Sequence, residues 1–269
     1  MSAPRVAVVQ FPGVNCESES VRALARVGLD AEVFRWTRAP SDLRAYDAFL
    51  LPGGWSYQDR VRAGALAAKD PLVDVLAEEA DRGKPVIGIC NGAQVLVEAG
   101  LVPDHGQVEL ALARNRMTDR GGYYARWIYA RVEKSPCVFT RHLEPGTVLP
   151  LPIAHGEGRF TSDDPERMPS LLRAGQVPLR YAHPDGSEAD GFPANPNGAE
   201  VAAAAVCNNR GNVLAMMPHP ERAQDLGALA RSVGGPWSER REQAMNQGHA
   251  DAEGPGLALF HGLKRHLEG

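Results

Sequence analysis

Apolar residues fall into two alternating rhythms over the first hundred positions. "RVAVVQF" (5–11), "AEVFRW" (31–36), "YDAFLLPGG" (46–54) and "KPVIGI" (84–89) are short runs of the kind that form buried strands. Between them apolar residues recur at helical spacing. In "ESESVRALARVGL" (17–29), Val21, Leu24 and Val27 share a face and Gly28 is a stop signal. "PLVDVLAEEADRG" (71–83) opens on Pro71 and closes on Gly83, and "NGAQVLVEAG" (91–100) follows the fourth strand directly. This alternation predicts βαβ units, and so a mostly parallel sheet with helices on both faces.

After about residue 105 the rhythm changes. "ARWIYARV" (125–132), "TVLPLPIAHG" (147–156), "PLRYAH" (178–183), "EVAAAAVCN" (200–208) and "NVLAMMPHP" (212–220) predict strands joined by loops. They make a β-rich, partly antiparallel C-terminal half that extends the sheet. "GLALFHGLKRHL" (256–267) predicts a closing amphipathic helix. The polar, Gly-rich stretch near 224–255 reads as a flexible insertion with a short helix around "SERREQAM", within a single domain spanning 1–269.

Composition narrows the function classes. The 269 residues are 43% hydrophobic and 23% charged, ordinary for a globular chain with a sizeable core. With 29 basic and 33 acidic residues the net charge is -4, so no nucleic-acid footprint is expected. No apolar run is long enough to span a membrane, and the N-terminus lacks a secretory signal pattern. Cys16, Cys90, Cys137 and Cys207 are widely spaced, which argues against a disulfide framework or a structural metal and for a reducing cytoplasm.

Candidate chemistry centres on "GKPVIGICNGAQVLVEAG" (83–100). Cys90 ends a predicted strand and opens a helix, with Gly88 and Gly92 on either side. G-x-C-x-G is the thiol counterpart of the nucleophile elbow, and a helix N-terminus favours thiolate. The plainer alternative is a small apolar residue at a strand end.

A cysteine nucleophile needs a base. Of eight histidines, His105, His183 and His249 lie in predicted loops and His261 and His266 on the last helix. His219 stands in "PHPER" just past a strand, with prolines on both sides and Glu221 on the same side of extended backbone. That pair reads as a base with its orienting carboxylate, or alternatively as a surface ion pair in a turn. "LLPGGWSYQD" (50–59) adds backbone able to approach a ligand, so that Gly53 and Asn91 N–H groups could form an oxyanion hole.

These pieces, in this order, resemble class I glutamine amidotransferases of the triad type. "QFPGVNCESE", "PGGWSYQDRVRAGALAA", "GICNGAQVLVEAGLVP", "PIAHGEGRF", "NPNG" and "GNVLAMMPHPERA" are similar to the glutaminase subunits of phosphoribosylformylglycinamidine synthases. The resemblance implies a flavodoxin-like α/β fold, with Cys90 as nucleophile, His219 as acid and base, Glu221 as its orienter, and Gly53 and Asn91 as oxyanion donors. It also implies that Gln94 helps hold glutamine and that His155, Gly156 and Glu157 line the same pocket. No metal or cofactor is implied on this chain. ATP and Mg would sit on a separate synthetase subunit, sometimes joined by a small accessory subunit, which uses the ammonia in purine synthesis.

The chain departs from the family pattern at three places. Gln58 stands where a glycine is usual and Arg60 near a usual aromatic. Met117 and Thr118 interrupt a simpler pattern, and the 224–256 segment is longer. Trp55 and Tyr57 are candidates for a partner's handle or for the pocket wall. Three competing classes remain to be distinguished. Another amidotransferase subunit would not combine "AHGEGRF", "NPNG" and "PHPER". A decayed, non-enzymatic relative would lack Cys90 or His219. A cysteine hydrolase of similar sheet architecture would place its histidine beside the cysteine, where this chain has Asn91.

Overall fold

The computed structural model describes residues 3–104 and 106–269; His105 lies outside them. In chain order, β1 (Arg5–Gln10), α1 (Glu17–Arg26), β2 (Asp30–Arg35), β3 (Ala48–Leu51), α2 (Pro71–Asp81), β4 (Val86–Ile89) and α3 (Asn91–Glu98) form the α/β half. The second half comprises β5 (Ala111–Arg114), β6 (Tyr124–Val132), β7 (Val148–His155), β8 (Glu157–Thr161), α4 (Arg167–Arg173), β9 (Leu179–Ala182), β10 (Ala203–Cys207), β11 (Val213–Met216), α5 (Pro236–Asn246) and α6 (Leu257–Glu268).

Nine strands make one sheet, ordered β2-β1-β3-β4-β11-β10-β9-β6-β7. The pairs from β2 through β4 to β11 are parallel and those from β11 to β7 antiparallel. So the β-rich half does extend a parallel sheet, as its pattern predicts. β3 and β4 are buried at every position, which is why they read as continuous apolar runs rather than alternating ones. α2 starts where the sequence predicts: Pro71 has no N–H to leave unpaired, and the Asp70 side chain accepts from Leu72 N at 3.0 Å.

Three elements escape the sequence pattern. β5 and β8 pair with each other as a separate antiparallel ribbon. "ALAR" carries no strand period, and its state comes from a partner far along the chain. α4 is a short helix whose buried residues are Met168 and Leu171. The 224–255 segment has structure of its own: Leu226, Leu229, Val233 and Ala244 form a small satellite core under α5.

β3, β4 and β11 are adjacent and parallel, so their carboxyl ends open on one edge. In open α/β sheets that edge is where ligands bind.

Candidate active site

β4 ends in Cys90, which holds φ 53° and ψ -106° and caps α3. A left-handed φ is rare for a residue with a Cβ, and here it turns the chain sharply from strand to helix. The flanking glycines follow from contact as well as conformation. A Cβ on Gly92 would sit 2.0 Å from the Leu51 carbonyl oxygen, and one on Gly88 would sit 2.5 Å from the Gly92 oxygen. The elbow packs backbone against backbone. Cys90 Sγ points to the Ala154 carbonyl at 3.7 Å, and Cys90 is 6% exposed.

β11 delivers His219, held by its N–H to the Pro152 carbonyl at 2.8 Å. Its Nδ1 bonds Glu221 Oε1 at 2.5 Å; His219 and Glu221 are 2% and 1% exposed. This burial is unlike the surface pair that "PHPER" also allowed. Burial opposes charge on the imidazole, but the Glu221 carboxylate, with the Cys90 and Cys16 sulfurs adding, outweighs it and raises the His219 pKa well above its ordinary value. His219 Nε2 is buried without a hydrogen-bond partner and lines the pocket that Cys90 also lines.

β3 delivers Gly53. A Cβ there would lie 2.7 Å from His219 Cε1, so it is the approach of the imidazole that disfavours a side chain at this position; the Cys90 Cβ, at 3.4 Å, would be in ordinary contact. Asn91 ties the elbow to the loop after β3. Its Oδ1 accepts from Ser56 N at 2.9 Å, and its Nδ2 donates to Asp59 Oδ1 at 3.0 Å and Gln94 Oε1 at 2.9 Å. Gln94 Nε2 donates to the Glu157 carbonyl at 2.7 Å. Both ends of the Gln94 amide are thus engaged with the protein, bracing α3 against the β7–β8 turn.

His155 is buried, and burial, with the His219 charge adding, pushes its pKa down to about 3, so it stays neutral. Its Nδ1 pairs with Asn115 Oδ1 at 3.1 Å. A Cβ on Gly158 would lie 2.3 Å from the His155 ring. Cys90, Gln94, His155, Gly156, Glu157 and His219 all line one cavity of about 200 Å³. Of the sequence-derived candidates, Gly53, Asn91 and Glu221 lie behind this lining rather than in it.

Sequence reasoning missed four contributors. Asn15, Asp59, Tyr123 and Arg222 also line the cavity. Cys16, at the N-cap of α1 after the loop that leaves β1, lies beside them: its sulfur, His219 and Glu221 offer atoms within 4.8 Å of one another. That spacing would suit a metal ion, but Arg222 Nη2 donates to Cys16 Sγ at 2.9 Å, and a guanidinium there repels a cation. The discoverable signal was position, since "FPGVNC" follows a strand with parallel neighbours on both sides.

Tyr57 is not the exposed handle allowed by the sequence. Its hydroxyl donates to Asp70 Oδ2 at 2.8 Å and its ring packs near Phe11. Trp55 is 46% exposed and stacks on Tyr123, itself 50% exposed, with ring centroids 6.4 Å apart. Both stand in the cavity wall.

Comparison with known proteins converges on the same class. Residues 3–262 match the family described as a CobB/CobQ-like glutamine amidotransferase domain. The chain is 42% identical over 271 aligned positions to the phosphoribosylformylglycinamidine synthase subunit PurQ of Methanothrix thermoacetophila, covering 98% of each. It is 45% identical to subunit PurQ of Thermus thermophilus, covering 82% of this chain and 90% of that one. A chain in the structure of PurLQS from Thermotoga maritima superposes with a TM-score of 0.68 at 33% identity, covering 91% of this chain and 99% of its own.

Proposed function

The chain belongs to the CobB/CobQ-like glutamine amidotransferases, among the PurQ subunits of phosphoribosylformylglycinamidine synthase, and on that premise we propose that Cys90, His219 and Glu221 are its catalytic triad. It is an enzyme, a glutaminase that acts with a synthetase subunit in purine biosynthesis. The observation that carries the residue assignment is Cys90 on a strained elbow in the same cavity as an imidazole whose far nitrogen is held 2.5 Å from a buried carboxylate.

The chemistry follows from that arrangement. Cys90 Sγ attacks the side-chain amide carbon of glutamine and forms a tetrahedral adduct. N–H groups of Gly53 and Asn91 hold the oxyanion, Asn91 being in the first turn of α3, where N–H groups have no intrahelical partner. His219 gives a proton to the departing ammonia, leaving a thioester on Cys90. It then takes a proton from water, which attacks the thioester and releases glutamate. Proton transfer of this kind contributes about 10²–10⁴-fold to rate. Glu221 keeps the ring oriented and offsets its charge.

Gln94, His155, Gly156 and Glu157 shape the glutamine pocket, Gln94 and His155 chiefly by bracing its walls. ATP and Mg belong to the synthetase subunit, which takes the ammonia to formylglycinamide ribonucleotide, and the complex works in the cytoplasm. No described helix is long and apolar enough to cross a membrane. The test is ammonia release from glutamine by the chain with its synthetase subunit and nucleotide ligands, for wild type and Cys90→Ala. Activity in the wild type and none in the variant supports the assignment; equal activity overturns it.

A further inference from the structure

Cys16 and Arg222 are polar neighbours of the triad to which the reaction so far gives no task. We infer that Arg222, anchored by Cys16, is a positioning residue for the triad: its charge stands against Glu221 and lets the His219 imidazole release its proton. The inference rests on the triad assignment above and extends it to two residues outside the triad.

Glu221 is a buried anion whose balance changes during the reaction. Its Oε1 is bonded to His219 Nδ1 at 2.5 Å, and its Oε2 is buried without a hydrogen-bond partner. While His219 is protonated, imidazolium and carboxylate offset each other. Once His219 Nε2 passes its proton to the departing ammonia, the carboxylate is left beside a neutral ring. A buried charge without a partner is costly. Glu221 alone would therefore hold the proton on the imidazole and oppose the transfer.

Arg222 supplies a standing cation at this carboxylate. Its Nε lies 3.9 Å from Glu221 Oε1 and 3.8 Å from Glu19 Oε1. Burial opposes charge on the guanidinium, but Cys16 and Glu221 outweigh it and raise the Arg222 pKa, so the cation persists through the cycle. It stabilises the carboxylate whether or not His219 carries its proton, and so weakens the carboxylate's hold on that proton.

The guanidinium is also fixed in place. Its Nη2 donates to the buried Cys16 Sγ at 2.9 Å, and the Cys16 thiol donates to Asn15 Oδ1 at 3.2 Å. Gln224 Nε2 donates to the Glu221 carbonyl at 2.6 Å and the Glu19 carbonyl at 2.9 Å, which ties the Pro220–Arg222 turn to α1. The Arg222 side chain is partly exposed, so without the sulfur its charged end is free to turn toward water.

The other titratable groups facing His219 are Cys16 from the start of α1, Cys90 from the elbow, His155 from β7 and Tyr123 from the loop before β6. His155 is neutral, so none of these four brings a positive charge. The experiment measures ammonia release against pH in the complex with the synthetase subunit. Its variants are Arg222→Gln, Arg222→Lys, Cys16→Ala and Cys16→Ser. In Arg222→Gln the imidazole holds its proton more firmly. The alkaline limb of the kcat profile is expected to move to higher pH, while kcat falls about 10-fold, a part of the roughly 10²–10⁴-fold that proton transfer supplies. Arg222→Lys keeps the charge and returns the limb toward its wild-type position. Cys16→Ala moves the limb the same way as Arg222→Gln but less, and Cys16→Ser, which keeps an acceptor for the guanidinium, moves it least. Should Arg222→Gln fail to fold, Cys16→Ala against Cys16→Ser carries the test. Activity lost in step with Tm, with the limb unmoved, marks a merely structural role and overturns the inference. A rise in KM for glutamine alone marks a substrate contact and overturns it too. Either result leaves the triad standing, whereas a wild type that neither releases ammonia nor acylates at Cys90 overturns both.

Discussion

Cys90 at φ 53° is a local conformation that costs about 1–3 kcal/mol and persists because its surroundings leave no alternative. Cys16, Cys137 and Cys207 are fully buried, and none of the three lines the cavity. A glutamine-mimicking electrophile is therefore expected to label Cys90, as located by peptide mass. Labelling mainly at another cysteine would remove it as nucleophile. Glu221→Gln keeps the shape of the His219 pair but removes the anion that holds its pKa up. It should lower kcat substantially, less than Cys90→Ala does. Burial then acts unopposed by that charge, so the alkaline limb of the pH–activity profile should move to lower pH. The sign for stability is the same: protonated His219 contributes fully below its ordinary value and loses that contribution as pH rises through the elevated one. Identical profiles for the two proteins would make Glu221 a bystander. Gln58, where the resemblance leads one to expect glycine, sits at φ 59°. Gln58→Gly should relieve that strain and raise stability by up to about 1 kcal/mol, read as a higher Tm. A fall in Tm would show that the side chain's contacts outweigh it.

At the scale of elements, three adjacent parallel strand ends and one helix N-terminus assemble the site. α3 and β3 approach closely where Gly92 lies against the Leu51 carbonyl and leaves no room for a Cβ. Gly92→Ala cannot be absorbed by a side-chain rotation, because the obstacle is backbone. It should destabilise the protein by about 1–3 kcal/mol or more, measured by thermal unfolding. Gly234, where an added Cβ would meet no atom within 4 Å, is the control, and Gly234→Ala should stay within about 0.5 kcal/mol of wild type. The elbow was legible in the sequence because strand, turn and helix are contiguous and each has a local period. β5 and β8 were not, because nothing in "ALAR" specifies a partner some fifty residues away.

At the scale of the whole molecule, the cavity opens beside exposed Trp55 and Tyr123, and Val61 is 84% exposed on the same loop system. Aromatic residues are enriched at interfaces, and a synthetase subunit seated on this pair would touch the loop after β3. The isolated chain is expected to be a poor glutaminase, slower than the complex by about 10²–10³-fold, the effect of one misdirected oxyanion donor. Trp55→Ala should weaken that activation, whereas Tyr57→Ala should act mainly on stability through the lost Asp70 bond and Phe11 contact. Glutamine turnover in the lone chain equal to that of the complex would refute the coupling. Full activation in Trp55→Ala would leave the coupling and reject Trp55 as its handle.

What the sequence determined by itself is what local pattern can encode. Apolar periods specify the strands and helices, and Gly88 and Gly92 specify a turn that only small residues fit. The prolines around His219 specify an extended segment past a strand end. From these, the sheet class and the loops that carry Cys90, Gly53 and His219 were readable. Tertiary structure alone decided what meets across the strand edge. It buried the His219–Glu221 pair, brought Cys16 beside it, turned Tyr57 inward, and placed Asp59 and Glu157 in the lining of one cavity. Those relations depend on strands distant in the chain lying side by side, and on burial, which gives the same charges a different strength from the one they have in water.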